Sequence, residues 1–136
     1  MIGIRASVYG DDVIVARFEA AAVGLPAAVN GVTRTFTMLT VTSVQAHASG
    51  RPGPNVITGD YRRSWNARFT TGAGGYLVGD AGTSKPQGPR LELGFNGVDS
   101  IGRHYNQPPF PHVGPAVADI APRYEAALFA LTKGIG

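Results

Sequence analysis

The chain has 136 residues, 43% of them hydrophobic and 15% charged, with a net charge of +3 and no cysteine. That balance describes one globular domain, residues 1–136, with enough chain to bury a real core, and it excludes a disordered segment. It also excludes disulfides, thiolate nucleophiles and cysteine-based metal sites. The charge is carried mostly by arginine without a dense basic run, so it permits contact with nucleic acid but does not require it. The low share of charged residues leaves a weakly polar surface, which points toward assembly. No basic-then-apolar leader is present at the start, and no apolar run approaches the roughly 20 residues of a membrane helix. The reading is a soluble protein made in the cytoplasm with no membrane partner.

Taken in order, residues 1–9 alternate Ile2, Ile4, Ala6 and Val8 with Gly3, Arg5, Ser7 and Tyr9, the period of a strand with one buried face. Gly10-Asp11-Asp12 breaks it, and either aspartate suits the cap of a short Ala-rich helix over 13–23 that Gly24 can end. Residues 27–48 support two readings. Val29, Val32, Phe36, Leu39 and Ala46 fit one face of a helix, while Thr33, Thr35, Thr37, Thr40 and Thr42 are β-branched and favour a strand. The uninterrupted length favours helix, because strands usually run about 5 to 6 residues.

Residues 49–55 form a Gly/Pro loop. Thr58 or Asp60 can then cap a single helical turn presenting Tyr61 and Trp65 on one side and Arg62 and Arg63 on the other. Short strands over 65–71 and 76–80 flank Gly72-Ala73-Gly74-Gly75, whose glycines supply a hairpin turn. Residues 81–89 loop, 90–95 form a short apolar element ending at Gly94, and 96–103 loop again. The last segment, 116–133, spaces Val117, Ile120, Tyr124, Leu128 and Leu131 as an amphipathic helix, with Pro115 in its first turn and Gly134 after its end. Pro122 falls inside it and predicts a kink or a restart at Asp119.

The most unusual run joins those last elements. Pro108, Pro109, Pro111 and Pro115 fix the backbone and remove amide donors, so 106–116 reads as a stiff extended strap with Phe110 as its anchor. A proline-rich ligand for an aromatic groove is one reading, but such ligands sit in disordered tails. Phe110 packing into its own core, or into a neighbouring copy, fits better.

Enzyme constellations are missing: the chain has no G-x-S-x-G, phosphate-loop or H-E-x-x-H motif. Asp11-Asp12 reads as a cap or turn, not a metal pair. His47, His104 and His112 have no ligand spacing. Gly72 to Gly75 lack the lysine and the strand-to-helix context of a phosphate cradle. Arg62, Arg63 and Arg68, interleaved with Trp65 and Phe69, have the texture of a nucleic-acid surface; a turn and strand with one polar and one buried face explains them as well. The expectation is a non-enzyme with no cofactor and no metal.

Four stretches in order resemble a known family. Thr58-Gly59-Asp60-Tyr61-Arg62-Arg63-Ser64 is similar to a T-G-x-L-R-x-S signature, preceded by a helix and followed by a hairpin. Leu91-Glu92-Leu93-Gly94 is similar to an L-E-x-G element, and Pro109-Phe110-Pro111-His112-Val113-Gly114-Pro115-Ala116 to a proline strap entering a terminal helix. Together they resemble the neck or tail-completion proteins (minor tail components) of long-tailed bacteriophages, from about residue 27 onward. Tyr61 stands where that signature usually has Leu, and Gly94-Phe95-Asn96-Gly97 differs from its commoner G-T.

The resemblance implies an α+β fold, long helices on a small antiparallel sheet with Gly/Pro-rich loops. It also implies a structural virion protein without catalysis, present as a homo-oligomeric ring, a hexamer by expectation, at the head-tail joint. Head-closure and tail-terminator or tail-tube proteins would be its neighbours, and DNA would pass through its lumen without sequence specificity. On this expectation Phe110, Pro109, Pro111, His112, Arg103 and Tyr105 meet partners, and Arg62, Arg63 and Arg68 face DNA. The alternatives are a tail terminator or other connector subunit, and a nucleic-acid-binding module built on the arginine and aromatic face.

Overall fold

The computed structural model describes residues 4–8 and 25–133. The expected helix over 13–23, its Asp11-Asp12 cap and the closing Gly134 lie outside the described residues. The fold is α+β. Strand β1 (Ile4–Val8) lies antiparallel to β3 (Leu77–Thr83), which pairs on its other edge with β2 (Asn66–Thr71), giving the order β1-β3-β2. Helices α1 (Leu25–His47) and α4 (Val113–Thr132) pack on each other, and α1 also packs on the sheet. Between them run the short helices α2 (Asp60–Arg63) and α3 (Gly88–Leu93) and a second two-stranded sheet, β4 (Phe95–Val98) with β5 (His104–Gln107).

Helix α1 settles the ambiguity of residues 27–48, but its buried face is not the one that periodicity suggests. Ala46 and Met38 are exposed, Val32, Phe36 and Leu39 are half-buried, and Val29, Thr33, Thr37, Thr40, Val41 and Val44 face inward. The threonines tolerate burial because their hydroxyls are satisfied locally. Thr37 Oγ1 donates to the Thr33 carbonyl and Thr40 Oγ1 to the Phe36 carbonyl, both at 2.7 Å, while Thr33 Oγ1 bonds the Tyr124 hydroxyl at 2.9 Å. Their small size lets the helix sit close on the sheet. At Gly79 of β3, a β-carbon would stand 1.9 Å from Thr37 Oγ1, so only glycine fits under this helix.

Two apolar groups form the core. Leu25, Val29, Tyr76, Tyr124 and Leu128 close one end, and Val41, Val44, Trp65, Ala81 and Ala116 the other. Asn30 ties α1 to the β2–β3 turn, donating to the Gly75 carbonyl and accepting from the Leu77 amide. That turn uses its glycines as expected, with φ 69° at Gly74 and 80° at Gly75.

Two expected loops are ordered elements. Residues 81–83 extend β3, and α3 starts at Gly88. Residues 96–103 contribute to a hairpin whose tip is closed by Asp99. Its Oδ1 accepts the Ile101 and Arg103 amides, and its Oδ2 accepts Arg103 Nε at 2.7 Å and the Tyr105 hydroxyl at 3.2 Å. These bonds, led by the Arg103 amide, hold the half-buried Asp99 carboxyl below its ordinary value. Helix α4 begins three residues before the expected start and runs through Pro122 as one element, so no restart occurs at Asp119.

Candidate functional site

The three stretches most distinctive in the sequence meet in space. The turn α2 follows Gly59 (φ 84°), and the Thr58 hydroxyl accepts the Asp60 amide in place of a side-chain cap on the helix itself. This turn sets Tyr61 edge-on to Trp65, ring centroids 6.4 Å apart. His112 of the strap completes the triangle, 5.5 Å from Tyr61 and 6.1 Å from Trp65, both edge-on. Trp65 and His112 are 2% and 0% exposed.

The polar atoms of Tyr61 and His112 are matched, while Trp65 Nε1 is buried without a hydrogen-bond partner among the described residues. The Tyr61 hydroxyl lies 2.6 Å from His112 Nε2, while His112 Nδ1 faces the Phe110 carbonyl at 2.9 Å and Glu92 Oε2 at 3.0 Å. With two acceptors on that side the proton sits on Nδ1, and Nε2 accepts from the Tyr61 O–H. Glu92, projecting from α3, does further work at the start of α4. Its Oε2 accepts the amides of His112 (2.7 Å) and Val113 (2.9 Å), and its Oε1 accepts that of Gly114 (2.9 Å). A carboxylate from another element thus replaces the missing side-chain cap of α4 and sits at the positive end of its dipole. Burial pushes the Glu92 carboxyl up, but the three amides, helped by the His112 Nδ1–H, outweigh it, so it lies below its ordinary value.

Gly94 makes this docking possible. With φ 80° it turns the chain after α3, and a β-carbon there would stand 2.9 Å from the Gln107 carbonyl oxygen and 3.0 Å from the Pro109 nitrogen. The strap is fastened beside it by the Phe110 amide on the Leu91 carbonyl. Ser64 anchors the far side through Thr83 Oγ1 at 2.6 Å.

A carboxylate, an imidazole and a hydroxyl in this order have the outline of a nucleophilic relay. The chemistry runs the other way. Burial, opposed by the Trp65 N–H and reinforced by the Glu92 charge, pushes Tyr61 up to about 12, so its proton is held. Glu92 is committed to backbone amides. The cluster fastens the strap. Among the described residues no group of three or more His, Asp or Glu could hold a metal ion, and no helix is long and apolar enough to cross a membrane.

The expected site residues separate under this geometry. His112 is fully buried in its own chain, so it fastens the strap and is not a surface contact. Phe110 is half-buried, with the Arg51 guanidinium 3.8 Å over its ring. Pro109 is exposed and Pro111 half-buried beside it. Arg103 and Tyr105 lie elsewhere, joined to Asp99 on the hairpin.

The three arginines do not form one surface. Arg63 pairs with Asp60 at 2.8 Å, and Arg62 reaches Ser49 at 3.0 Å. Arg68 points from the sheet face opposite α1, since its neighbours Ala67 and Phe69 are the ones that meet α1. Sequence reading passes over a groove of about 660 Å³ beside the strap, where Phe110, Leu91 and Ile57 meet Arg51, Arg62 and Lys85. Its residues come from three separate stretches, 48–62, 85–91 and 107–110, and no single motif signals that they meet.

Scans against protein-family models and searches of curated proteins and of solved structures found no match for this chain. A functional reading therefore rests on the motifs and their geometry.

Proposed function

We propose that the chain is a structural subunit of the head-tail joint of a long-tailed bacteriophage, a neck or tail-completion protein that assembles as a ring around the DNA path. One observation carries this reading. The stretches that resemble the family's signature, short element and strap close on one another through Tyr61, Glu92 and His112. A set of motifs that lock a scaffold together accounts for their order without any reaction. It leaves apolar side chains on the outer surface, with Ile57, Leu93 and Ile101 all strongly exposed. Such exposure in a weakly charged chain suits a protein that is covered by neighbours.

In the particle the ring stacks between a head-closure ring and a tail-terminator or tail-tube ring, and DNA passes through it without base contacts. Peptide mass spectrometry of purified particles, followed by antibody labelling, tests the reading. The expected result is the chain in stoichiometric amount with label at the joint; a chain confined to the lysate and missing from particles overturns it.

A further inference from the structure

We propose that successive copies join head to tail, with Phe129 and Glu125 of one copy seating in the Ile57–Phe110 groove of the next. This contact rests on the ring reading and names the surfaces that would build it.

The groove is apolar on its floor and positive on its rim. Leu91 and Phe110 supply the floor, Ile57, 94% exposed, projects at its edge, and Arg51, Arg62 and Lys85 form the rim. Among the described residues the contacts of Arg51 and Arg62 bring no carboxylate to them, since they go to the Gly53 carbonyl, the Phe110 ring and the Ser49 hydroxyl. The one acid in the lining, Asp60, is engaged by Arg63. An occupant of this groove needs an apolar anchor with a carboxylate beside it.

The outer face of α4 carries that pair. Phe129 is 53% exposed, and Glu125 lies one turn before it on the same face and is exposed. The other acid of α4, Asp119, stands near Arg123 at 3.9 Å and accepts from Ser43 at 3.3 Å. An anchor and a charge at i and i+4 match the way a helix docks in a groove.

Position decides how the two surfaces combine. The groove borders Ala48, just past the end of α1, whereas Leu128 packs on Leu25 and Val29 at the start of α1. Along α4 the surfaces are about 25 Å apart, so a chain cannot fill its own groove. Two grooves face to face would set cations against cations. Groove to helix is the complementary pairing, and a heterologous contact of that kind closes into a ring or extends as a filament.

The absence of cysteine gives a clean test. Ile57→Cys and Phe129→Cys alter exposed side chains and should leave the fold intact, checked by unchanged melting. Under mild oxidation a mixture of the two single variants should form the crossed disulfide dimer in excess over either same-site dimer. The double variant should form a ladder of linked copies. Glu125→Lys should weaken assembly about two- to fivefold, and Lys85→Glu in the same chain should restore it.

Three outcomes overturn the contact. Same-site dimers alone would show a different arrangement. A wild-type protein that sediments as a multimer yet gives no crossed product would leave the ring reading standing and remove this interface. A monomer at millimolar concentration without crossed product would also remove it, while particle content decides the neck reading separately.

Discussion

Glu92 is the residue on which the geometry of the strap depends most. One carboxylate satisfies three amides at the head of α4 and faces the buried His112. Replacing it by Gln puts a donor where an acceptor is needed, and Glu92→Gln should cost about 1 to 2 kcal/mol. The pH dependence follows from its depressed pKa relative to the ordinary value of 4.5. Between the folded and unfolded values the unfolded chain binds the extra proton. The stabilisation is therefore complete above about pH 5 and is lost as pH falls through the folded value. Urea melts across that range should show a steeper acid loss for wild type than for the variant; parallel profiles would contradict this role.

The same scale separates Trp65, Phe110 and Tyr61. Trp65 is core, and Trp65→Ala should cost about 3 to 5 kcal/mol. Phe110 is only half-buried at the edge of the groove, so Phe110→Ala should cost about 2 kcal/mol or less. Tyr61→Phe leaves the buried His112 Nε2 without its donor and should cost about 1 to 3 kcal/mol. Thermal melts of the three, ranked against one another, check this order.

At the scale of elements, the contact of α1 with β3 is tight because both sides are small. Gly79→Ala should destabilise by about 1 to 3 kcal/mol, and Thr37→Ala in the same chain should recover part of the loss. A double-mutant cycle reads that coupling directly; additive losses would mean that the helix simply moves aside.

This interface also shows what periodicity could and could not read. Length and spacing were enough to mark 27–48 as a helix, and the glycines marked the β2–β3 turn. The face of the helix was hidden, because a hydropathy pattern counts threonine as polar. Here each buried threonine hydroxyl finds a carbonyl or the Tyr124 oxygen. The β4–β5 hairpin was hidden for a related reason. Its tip is held by the Asp99 side chain, and its strands are too short and mixed to show alternation.

For the whole molecule, the sequence marked the strap as the distinctive stretch but passed over the residue that fastens it within the chain. Phe110 is the large apolar residue, whereas the fully buried member is His112, whose partners Tyr61 and Glu92 lie 51 and 20 positions away. Nothing short-range signals such a match. The groove escaped notice for the same reason, being assembled from residues far apart in the chain. The outer surface left by this packing, an apolar and positive groove at one end and the Phe129–Glu125 pair of α4 at the other, suits the head-to-tail contact proposed above. The solution mass of the chain should therefore rise with concentration, and Phe129→Asp should hold it at one copy without lowering the melting temperature.

The most direct measurement for the account as a whole is a cryo-electron microscopy map of the head-tail joint in particles made from the genome that encodes this chain. The expected result is a ring between head and tail tube into which the α1–α4 pair and the fastened strap of each copy fit as a unit. A joint fully built from other chains would contradict it.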